Sequence, residues 1–453
     1  MLYRLLRAYF RLALQVFYRS VEVEGLENVP EAGPVLFTPN HANGLLDPMF
    51  IALALDRPIW LTAKSTLADN PLVRWLMRAG NVIAFHRMQD VGQGADPRAN
   101  LAALDAVAER LRAGGAVVIF PEGQSHNDPG LRPFKRGVAR LAYDYVAAGN
   151  AGGLQIVPVG LWFEDKDAFR TRAWVRFGPP IDAGAWRAAR PSAPAQALTA
   201  ELQAAVDAAA ITFADRREVL LLGWAAEIAE TGGRAPAPLG REGPRLGVRA
   251  RLVERLRRGY RLLATAEARD FEPLVDRVAA YRRRLRRLGI TPAEVYLPVD
   301  APRAARFVVR EVAVGLAGLV PALWGIAAHA LPALTIGVVA SVLARRNREL
   351  PTTVVFTALV VVPVWYAILA VALGLALPWP LALALWLAAP PCGWLALAWL
   401  GRVASAVRRA ATFLHFVRQP VLQAGLAAEG RAIIEGMRAH EARAAVDVAA
   451  DGG

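Results

Sequence analysis

"PVLFTPNHANGLLDP", residues 34–48, runs from an apolar segment through a forced turn to a helix start. Pro39 favours an extended backbone before it and sets a rigid exit. Asn43–Gly44 is a strong turn pair, because both residues tolerate positive φ. Asp47–Pro48 has the form of a helix N-terminus, with Asp as the cap and Pro at the first helical position. The chain therefore leaves a strand, presents His41, turns, and presents Asp47, with five residues between the two. A carboxylate bonded to one imidazole nitrogen fixes the tautomer and supports the imidazolium formed when the other nitrogen takes a proton. The plain alternative is a strand-to-helix loop in which Asp47 only caps.

Similar runs lie on either side. "IWLTAK" (59–64), "NVIAF" (81–85), "AVVIFPEG" (116–123), "IVPVGLWF" (156–163) and "WVRFG" (174–178) have the Val, Ile, Phe and Trp content of strands. Helical patterns separate them, as at Asn100–Ala113 and Val138–Ala147. Alternating strands and helices predict an α/β domain over residues 20–215, with a mostly parallel sheet flanked by helices. In such sheets the active residues gather at the carboxyl ends of strands.

The remaining segments differ in character. Residues 1–19 place Arg4, Arg7 and Arg11 on one helical face, which breaks any continuous signal-peptide core. Leu5, Phe10, Leu12 and Phe17 lie away from that face. The pattern predicts an interfacial amphipathic helix, the alternative being a helix packed on the protein. Residues 216–302 read as a basic helical segment; 241–290 hold fifteen Arg against six acidic residues. Without aromatic interleaving or a known binding module, no nucleic-acid partner is expected. A solvated or membrane-facing hairpin fits better.

Residues 303–402 read as an all-α membrane region. Val312–Ala344 lacks charge over 33 residues, and Thr352–Leu375 and Leu381–Leu400 are long enough to cross a bilayer. Basic clusters stand at Arg303–Arg310, Arg345–Arg348 and Arg402–Arg409, while interruptions at 329–333 and 377–380 carry no Arg or Lys. Positive-inside logic places all three clusters in the cytoplasm and predicts two hairpins, the first interrupted at His329–Pro332 as a re-entrant segment would be; the three-span alternative would strand one cluster outside. Residues 403–453 read as a helical tail with a polar end.

The 453-residue chain is 55% hydrophobic with net charge +14, carried by Arg; Lys appears only at 64, 135 and 166. Such charge attracts anionic partners. The single Cys392 excludes a disulfide framework or CxxC metal site within the chain. No metal or other cofactor is expected.

Three further blocks carry chemistry. "VVIFPEGQSHND" (117–128) ends an apolar strand with Glu122–Gly123, where Glu122 is placed to accept a substrate hydroxyl or to pair with an Arg. His126 follows as a second imidazole or a polar loop residue. "GNVIAFHR" (80–87) ends in Arg87, a forked donor suited to phosphate or to a surface ion pair. "IVPVGLWF" is a buried strand with little chemistry of its own.

Together the four blocks make the chain resemble the glycerophospholipid acyltransferase superfamily (PlsC-like, lysophosphatidate acyltransferase type). That family shows a His…Asp block, a Gly…Arg block, a Phe-Pro-Glu-Gly block and a Val-Pro-Val-Gly-like block in this order. Here they are His41/Asp47, Gly80…Arg87, Phe120–Gly123 and Val157–Gly160. The usual spacing in the first block is four residues rather than five. The resemblance covers roughly residues 20–215. It implies that His41 deprotonates the acceptor hydroxyl, that Asp47 orients His41, that Arg87 binds the acceptor phosphate, and that Glu122 and Gly123 shape the acceptor site. Lys64, Lys135 and Arg136 are added as expected phosphate contacts.

"FPEGQSHNDPGLRPFKRGVARLA", with a Ser-His extension and then Leu-x-Pro-x-Lys-x-Gly, looks like the subgroup acting on glycerol 3-phosphate and dihydroxyacetone phosphate. The five-residue spacing and the C-terminal membrane region are similar to that subgroup too. The expectation is a membrane-bound acyltransferase using acyl-CoA or acyl carrier protein, a phosphorylated glycerol acceptor and membrane lipid. Its catalytic domain would face the cytoplasm, at a bacterial inner membrane. A lysophosphatidate acceptor is the near alternative. A non-catalytic lipid-binding protein and a metallohydrolase using His41, Asp47 and Glu122 are readings from other classes.

Overall fold

The strand Val35–Pro39 is buried at all five positions, and its side chains divide between two cores. Val35 and Phe37 point to one, Leu36 to the other. Val118, Val157 and Val159 join the first; Val117 and Ile156 join the second. Strands buried on both faces read as continuous apolar runs, which is why this segment shows no polar alternation.

The structure is a computed structural model and describes residues 2–65, 69, 71–85, 97–150, 153–239, 245–265, 272–347 and 350–451. The chain divides into two compact units. The first is Met1–Ala214 with Val338–Leu359; the second is Asp215–Gly337 with Val360–Gly453.

The first unit holds the sheet. Its strands are β1 (Ser20–Glu24), β2 (Val35–Pro39), β3 (Ile59–Lys64), β4 (Val82–Phe85), β5 (Ala116–Val118), β6 (Gln155–Phe163), β7 (Arg172–Phe177) and β8 (Ile181–Asp182). The order is β1-β7-β6-β2-β5-β3-β4, with β8 against β6. Pairing is parallel except where β6 meets β7 and β8. The helices are α1 (Leu2–Phe17), α2 (Asp47–Ala54), α3 (Pro71–Ala79), α4 (Pro97–Arg112), α5 (Gly137–Ala147), α6 (Ala183–Ala189) and α7 (Ala195–Ala209). Side chains of α1 and α2, such as Leu14, Phe17, Phe50 and Ile51, fill the first core. Val107, Leu111, Leu141 and Leu202 of α4, α5 and α7 fill the second. This is the expected mostly parallel sheet with flanking helices. Pro39 lies level with Val159, and Phe37 with Val118, so the carboxyl ends of β2, β5 and β6 stand side by side. At Gly160 any Cβ would run into the Ala209 carbonyl that closes α7.

Helix α1 packs on the protein through two of its arginines and its aromatic residues. Arg7 donates to the Leu55 and Asp56 carbonyls, and Arg11 to the Leu53 carbonyl at 3.1 Å. Leu53 lies in the last turn of α2 and Leu55 caps it, where carbonyls lack helical partners; Asp56 follows. Two of the three arginines thus serve α2, while Leu5 and Leu12 are exposed. The Tyr9 hydroxyl donates to the Leu359 carbonyl at 2.8 Å, and Phe10 meets Phe356 edge-on at 5.6 Å. One face of α1 thus packs on the protein, while Leu5 and Leu12 remain exposed.

The second unit contains α8 (Arg216–Thr231), α9 (Leu246–Thr265), α10 (Glu272–Leu288) and α14 (Pro420–Asp451), with most of α11 (Ala301–Asn347), α12 (Leu350–Ala376) and α13 (Trp379–Arg418). Leu221, Ile228, Val278, Tyr281, Ile433 and Ile434 form its core. Residues 403–451 are helical as expected apart from a break at Gln419, and Leu426, Ile433 and Met437 of α14 are buried in this core. Basic residues of 241–290 bind acids within the unit: Arg249–Glu230 at 2.6 Å, Arg282–Glu227 at 3.1 Å and Arg284–Glu429 at 3.3 Å.

Helices α11, α12 and α13 are long and apolar enough to cross a membrane. The expected break at His329–Pro332 is absent: helix α11 continues through Pro321 and Pro332. The first expected hairpin is one continuous helix, whereas the interruption expected at 377–380 does separate α12 from α13, at Leu377–Pro378. Hydrogen bonds among the three helices explain the continuity of α11. His329 Nδ1 donates to the Gly325 carbonyl at 2.8 Å and Nε2 accepts from the Tyr366 hydroxyl at 2.8 Å. Trp365 Nε1 donates to the Ala328 carbonyl at 2.7 Å, and Trp399 Nε1 to the Gly315 carbonyl at 2.9 Å. Polar side chains join apolar helices where lipid offers no competing partner. Side chains of the Arg345–Arg348 cluster lie outside the described residues.

Candidate active site

After β2 the Asn40 side chain extends the ladder. Its Nδ2 donates to the Leu161 carbonyl at 3.1 Å and its Oδ1 accepts from the Leu161 amide at 2.7 Å. This pins the chain to β6 one residue before His41. A short 3₁₀ turn, Gly44–Leu46, follows, with Gly44 at φ +54°. That conformation favours glycine. The turn absorbs the fifth intervening residue and returns the chain so that Asp47 opens α2.

Asp47 is the first helical residue, at φ −53°, and its side chain does not cap the helix as expected. The carboxylate turns back instead. Its Oδ2 accepts from His41 Nδ1 at 2.9 Å and from the Asn43 amide at 2.7 Å. Asp47 is fully buried, and its Oδ1 has no hydrogen-bond partner among the described residues. Because the carboxylate accepts, Nδ1 carries the proton and Nε2 presents a lone pair. The imidazole stacks on Phe120, centroids 3.9 Å apart, with its side chain 11% exposed.

Asn43 anchors the turn from the other side. Its Nδ2 donates to the Tyr18 hydroxyl at 2.8 Å. Burial, and next the nearby Asp47 charge, push the Tyr18 phenol well above its usual range, so it stays protonated.

Glu122 is bonded on both carboxylate oxygens. Its Oε1 accepts from the His41 amide at 2.9 Å, and its Oε2 from the Arg132 amide at 2.7 Å and from His126 Nε2. The side chain has no exposed surface, and these three bonds tie the loops after β2 and β5 together. His126 is held throughout: Nδ1 accepts from the Asp128 amide at 3.2 Å, and its own amide donates to the His41 carbonyl at 3.1 Å.

Of the expected cation sites, Lys135 lies against Gly123: a Cβ there would meet its ammonium, and φ is +75°. Arg136 is exposed just before α5, and Lys64 ends β3 at the same edge of the sheet as the dyad. Arg87 lies outside the described residues. Lys166 was not anticipated. It donates to the Ala42 carbonyl at 2.9 Å and to Asn127, joining the loop after β2 to the loop after β5. The scarcity of lysine was the available signal, since all three lie around these blocks.

No group of three or more His, Cys, Asp or Glu suited to a metal occurs among the described residues. The arrangement is an imidazole with one nitrogen held by a buried carboxylate and the other open, a geometry that accepts a proton from a hydroxyl.

A family model described as Acyltransferase matches residues 20–162. Glycerol-3-phosphate O-acyltransferase 2 of Saccharomyces cerevisiae is 31% identical over 167 residues, 35% of this chain and 21% of its own length. The chloroplastic 1-acyl-sn-glycerol-3-phosphate acyltransferase BAT2 of Brassica napus is 28% identical over 151 residues, 33% of this chain and 39% of its own. The chain thus spans well under half the length of these curated relatives. The solved structure of the 1-acyl-sn-glycerophosphate acyltransferase PlsC from Thermotoga maritima aligns with 46% of this chain and 78% of its own at 20% identity and TM-score 0.35. Residues 20–162 are an acyltransferase domain, in line with the glycerophospholipid acyltransferase superfamily.

Proposed function

We propose that the acyltransferase domain at residues 20–162 makes this chain a membrane-bound O-acyltransferase. It moves a fatty acyl group from acyl-CoA or acyl carrier protein to the hydroxyl of glycerol 3-phosphate or dihydroxyacetone phosphate. The carrying observation is the 2.9 Å bond from His41 Nδ1 to buried Asp47, which leaves Nε2 as the base.

The chemistry follows. Nε2 takes the proton as the acceptor oxygen attacks the thioester carbonyl. The tetrahedral intermediate collapses, the C–S bond breaks, and the thiolate leaves with the proton from His41. The oxyanion calls for N–H donors, which at the start of α2 cannot include Pro48. Arg87, Lys64, Lys135 and Arg136 are the proposed phosphate contacts. No acyl-enzyme is invoked, since the single Cys392 lies in α13 among apolar residues. The three apolar helices keep the domain where acyl donors and products partition. The catalytic unit is proposed to face the cytoplasm of a bacterial inner membrane. External protease on intact spheroplasts should leave it uncut; cleavage would refute that orientation.

The test is acceptor choice. Purified protein in detergent receives labelled palmitoyl-CoA with glycerol 3-phosphate, dihydroxyacetone phosphate or lysophosphatidate. Product from either of the first two supports the reading. Product from lysophosphatidate alone favours the second reading, which the similarity to the Brassica enzyme supports. Loss of turnover in His41→Ala with unchanged thermal stability is expected; normal turnover there would remove His41 as the base.

A further inference from the structure

Thr352 lies in the first turn of α12, a helix whose continuation is apolar enough to cross a membrane. This first turn belongs to the catalytic unit. Pro351, Thr352 and Val355 are buried, and Val355 is part of the sheet's first core. The Thr352 hydroxyl donates to the Asn43 carbonyl at 3.2 Å. That carbonyl also accepts from the Leu46 amide at 3.2 Å, so both lone pairs are used.

Three polar groups of Asn43 are therefore occupied. Its amide binds Asp47, its side chain binds Tyr18 at the end of α1, and its carbonyl binds Leu46 and Thr352. Asn43 is 2% exposed. The residue controls Asp47 directly, because its amide is one of two donors on the oxygen that holds His41. A threonine deeper in a helix tends to bond the carbonyl one turn back. In the first turn that carbonyl lies outside the helix, so the hydroxyl is available to a neighbour.

We infer that Thr352 is a positioning residue for the His41–Asp47 dyad, and that the first turn of a membrane helix thereby forms part of the catalytic site. The inference rests on the reading of His41 as general base. Thr352 touches no substrate; it fixes the Asn43 peptide, which fixes Asp47, which fixes the imidazole. A base displaced by a fraction of an ångström loses rate without losing substrate affinity.

The test uses the full chain in detergent and measures kcat, both KM values and Tm. Thr352→Val and the smaller Thr352→Ala remove the hydroxyl. Each should lower kcat about tenfold, the scale of one hydrogen bond, with both KM values within about twofold of wild type. Thr352→Ser keeps the hydroxyl and should restore kcat to within about twofold. Val355→Ala trims a core contact in the next turn of α12 without touching the bond; it should lower Tm and leave kcat unchanged. The inference is overturned if both hydroxyl-deleting variants keep wild-type kcat, if Ser fails to rescue, or if Val355→Ala lowers kcat as much. His41→Ala separates the two layers. If it is inactive while the Thr352 variants are normal, only the positioning role falls. If it is active, the general-base reading falls, and this role with it.

Discussion

Replacing Glu122 by Gln tests whether this carboxylate holds the site or meets the substrate. Three donors converge on it: the His41 amide at 2.9 Å, the Arg132 amide at 2.7 Å, and His126 Nε2. A carboxylate accepts all three; an amide has one accepting oxygen and one donating nitrogen. If the amide oxygen faces Arg132 and His126, the NH₂ group confronts the His41 amide. If it faces His41, the NH₂ confronts the other two. At least one buried donor is left unpaired in either orientation. An unpaired buried donor costs about 1–3 kcal/mol, and loss of charge from the remaining bonds adds to that. The expected penalty is about 2–4 kcal/mol, or a Tm lower by about 5–15 °C for a domain of this size. Because the His41 amide is one of the donors, kcat should fall with stability, while the acceptor KM changes little. Differential scanning fluorimetry in detergent with steady-state kinetics on the same preparation gives both numbers. An unchanged Tm with a large rise in acceptor KM would refute this account and restore Glu122 as a substrate contact.

Asp47→Asn keeps the shape but removes the charge and frees the tautomer; kcat should fall by about 10³–10⁴-fold, the scale seen for His–carboxylate pairs elsewhere, with the fold retained by circular dichroism. Gly160→Ala brings a Cβ onto the Ala209 carbonyl, so β6 or the end of α7 must shift. A Tm loss beyond that of Glu122→Gln is expected, and a Tm equal to wild type would show that this end of α7 gives way easily. Tyr366→Phe removes the donor to His329 Nε2, and should lower the thermal midpoint by an amount matching about 0.5–1 kcal/mol, without changing acceptor choice in the product assay.

What the sequence revealed follows the range of the interactions concerned. The apolar strands were legible because burial on both faces leaves uninterrupted Val, Ile and Phe runs. β1, "SVEVE", was not anticipated; two of its five residues are glutamates, and it pairs only with β7 at the sheet's edge. The dyad was legible because turn chemistry between His41 and Asp47 is local. The roles of Glu122 and Thr352 were not. Glu122 meets a backbone amide 81 residues away, and Thr352 a carbonyl 309 residues away, and neither partner leaves a local pattern. The break expected at Pro332 failed for a different reason. A proline normally ends a helix by losing an amide bond, but in apolar surroundings neighbouring helices re-satisfy the freed groups. Here His329, Trp365 and Tyr366 make side-chain hydrogen bonds around that point.

The orphaned Oδ1 of Asp47 bears on why such a buried carboxylate is kept. Removing a charge from water is costly unless partners replace the hydration. Among the described residues Oδ2 has two N–H donors and Oδ1 has none, so these donors compensate the carboxylate only in part. Under the proposed reaction His41 becomes cationic as the hydroxyl loses its proton. The carboxylate, the Asn43 turn and the Glu122 brace are already in place then, so no dipoles need to reorganise. The interaction of Asp47 with the ring is therefore stronger at the transition state than before it, which is the condition for accelerating the step. A relaxed carboxylate with four good donors would make a more stable protein and a weaker partner for His41. Adding a donor at Oδ1 gives the direct check. A nearby apolar-to-polar substitution whose hydroxyl reaches Oδ1 should raise Tm and lower kcat together. A rise in both would contradict this account of the dyad.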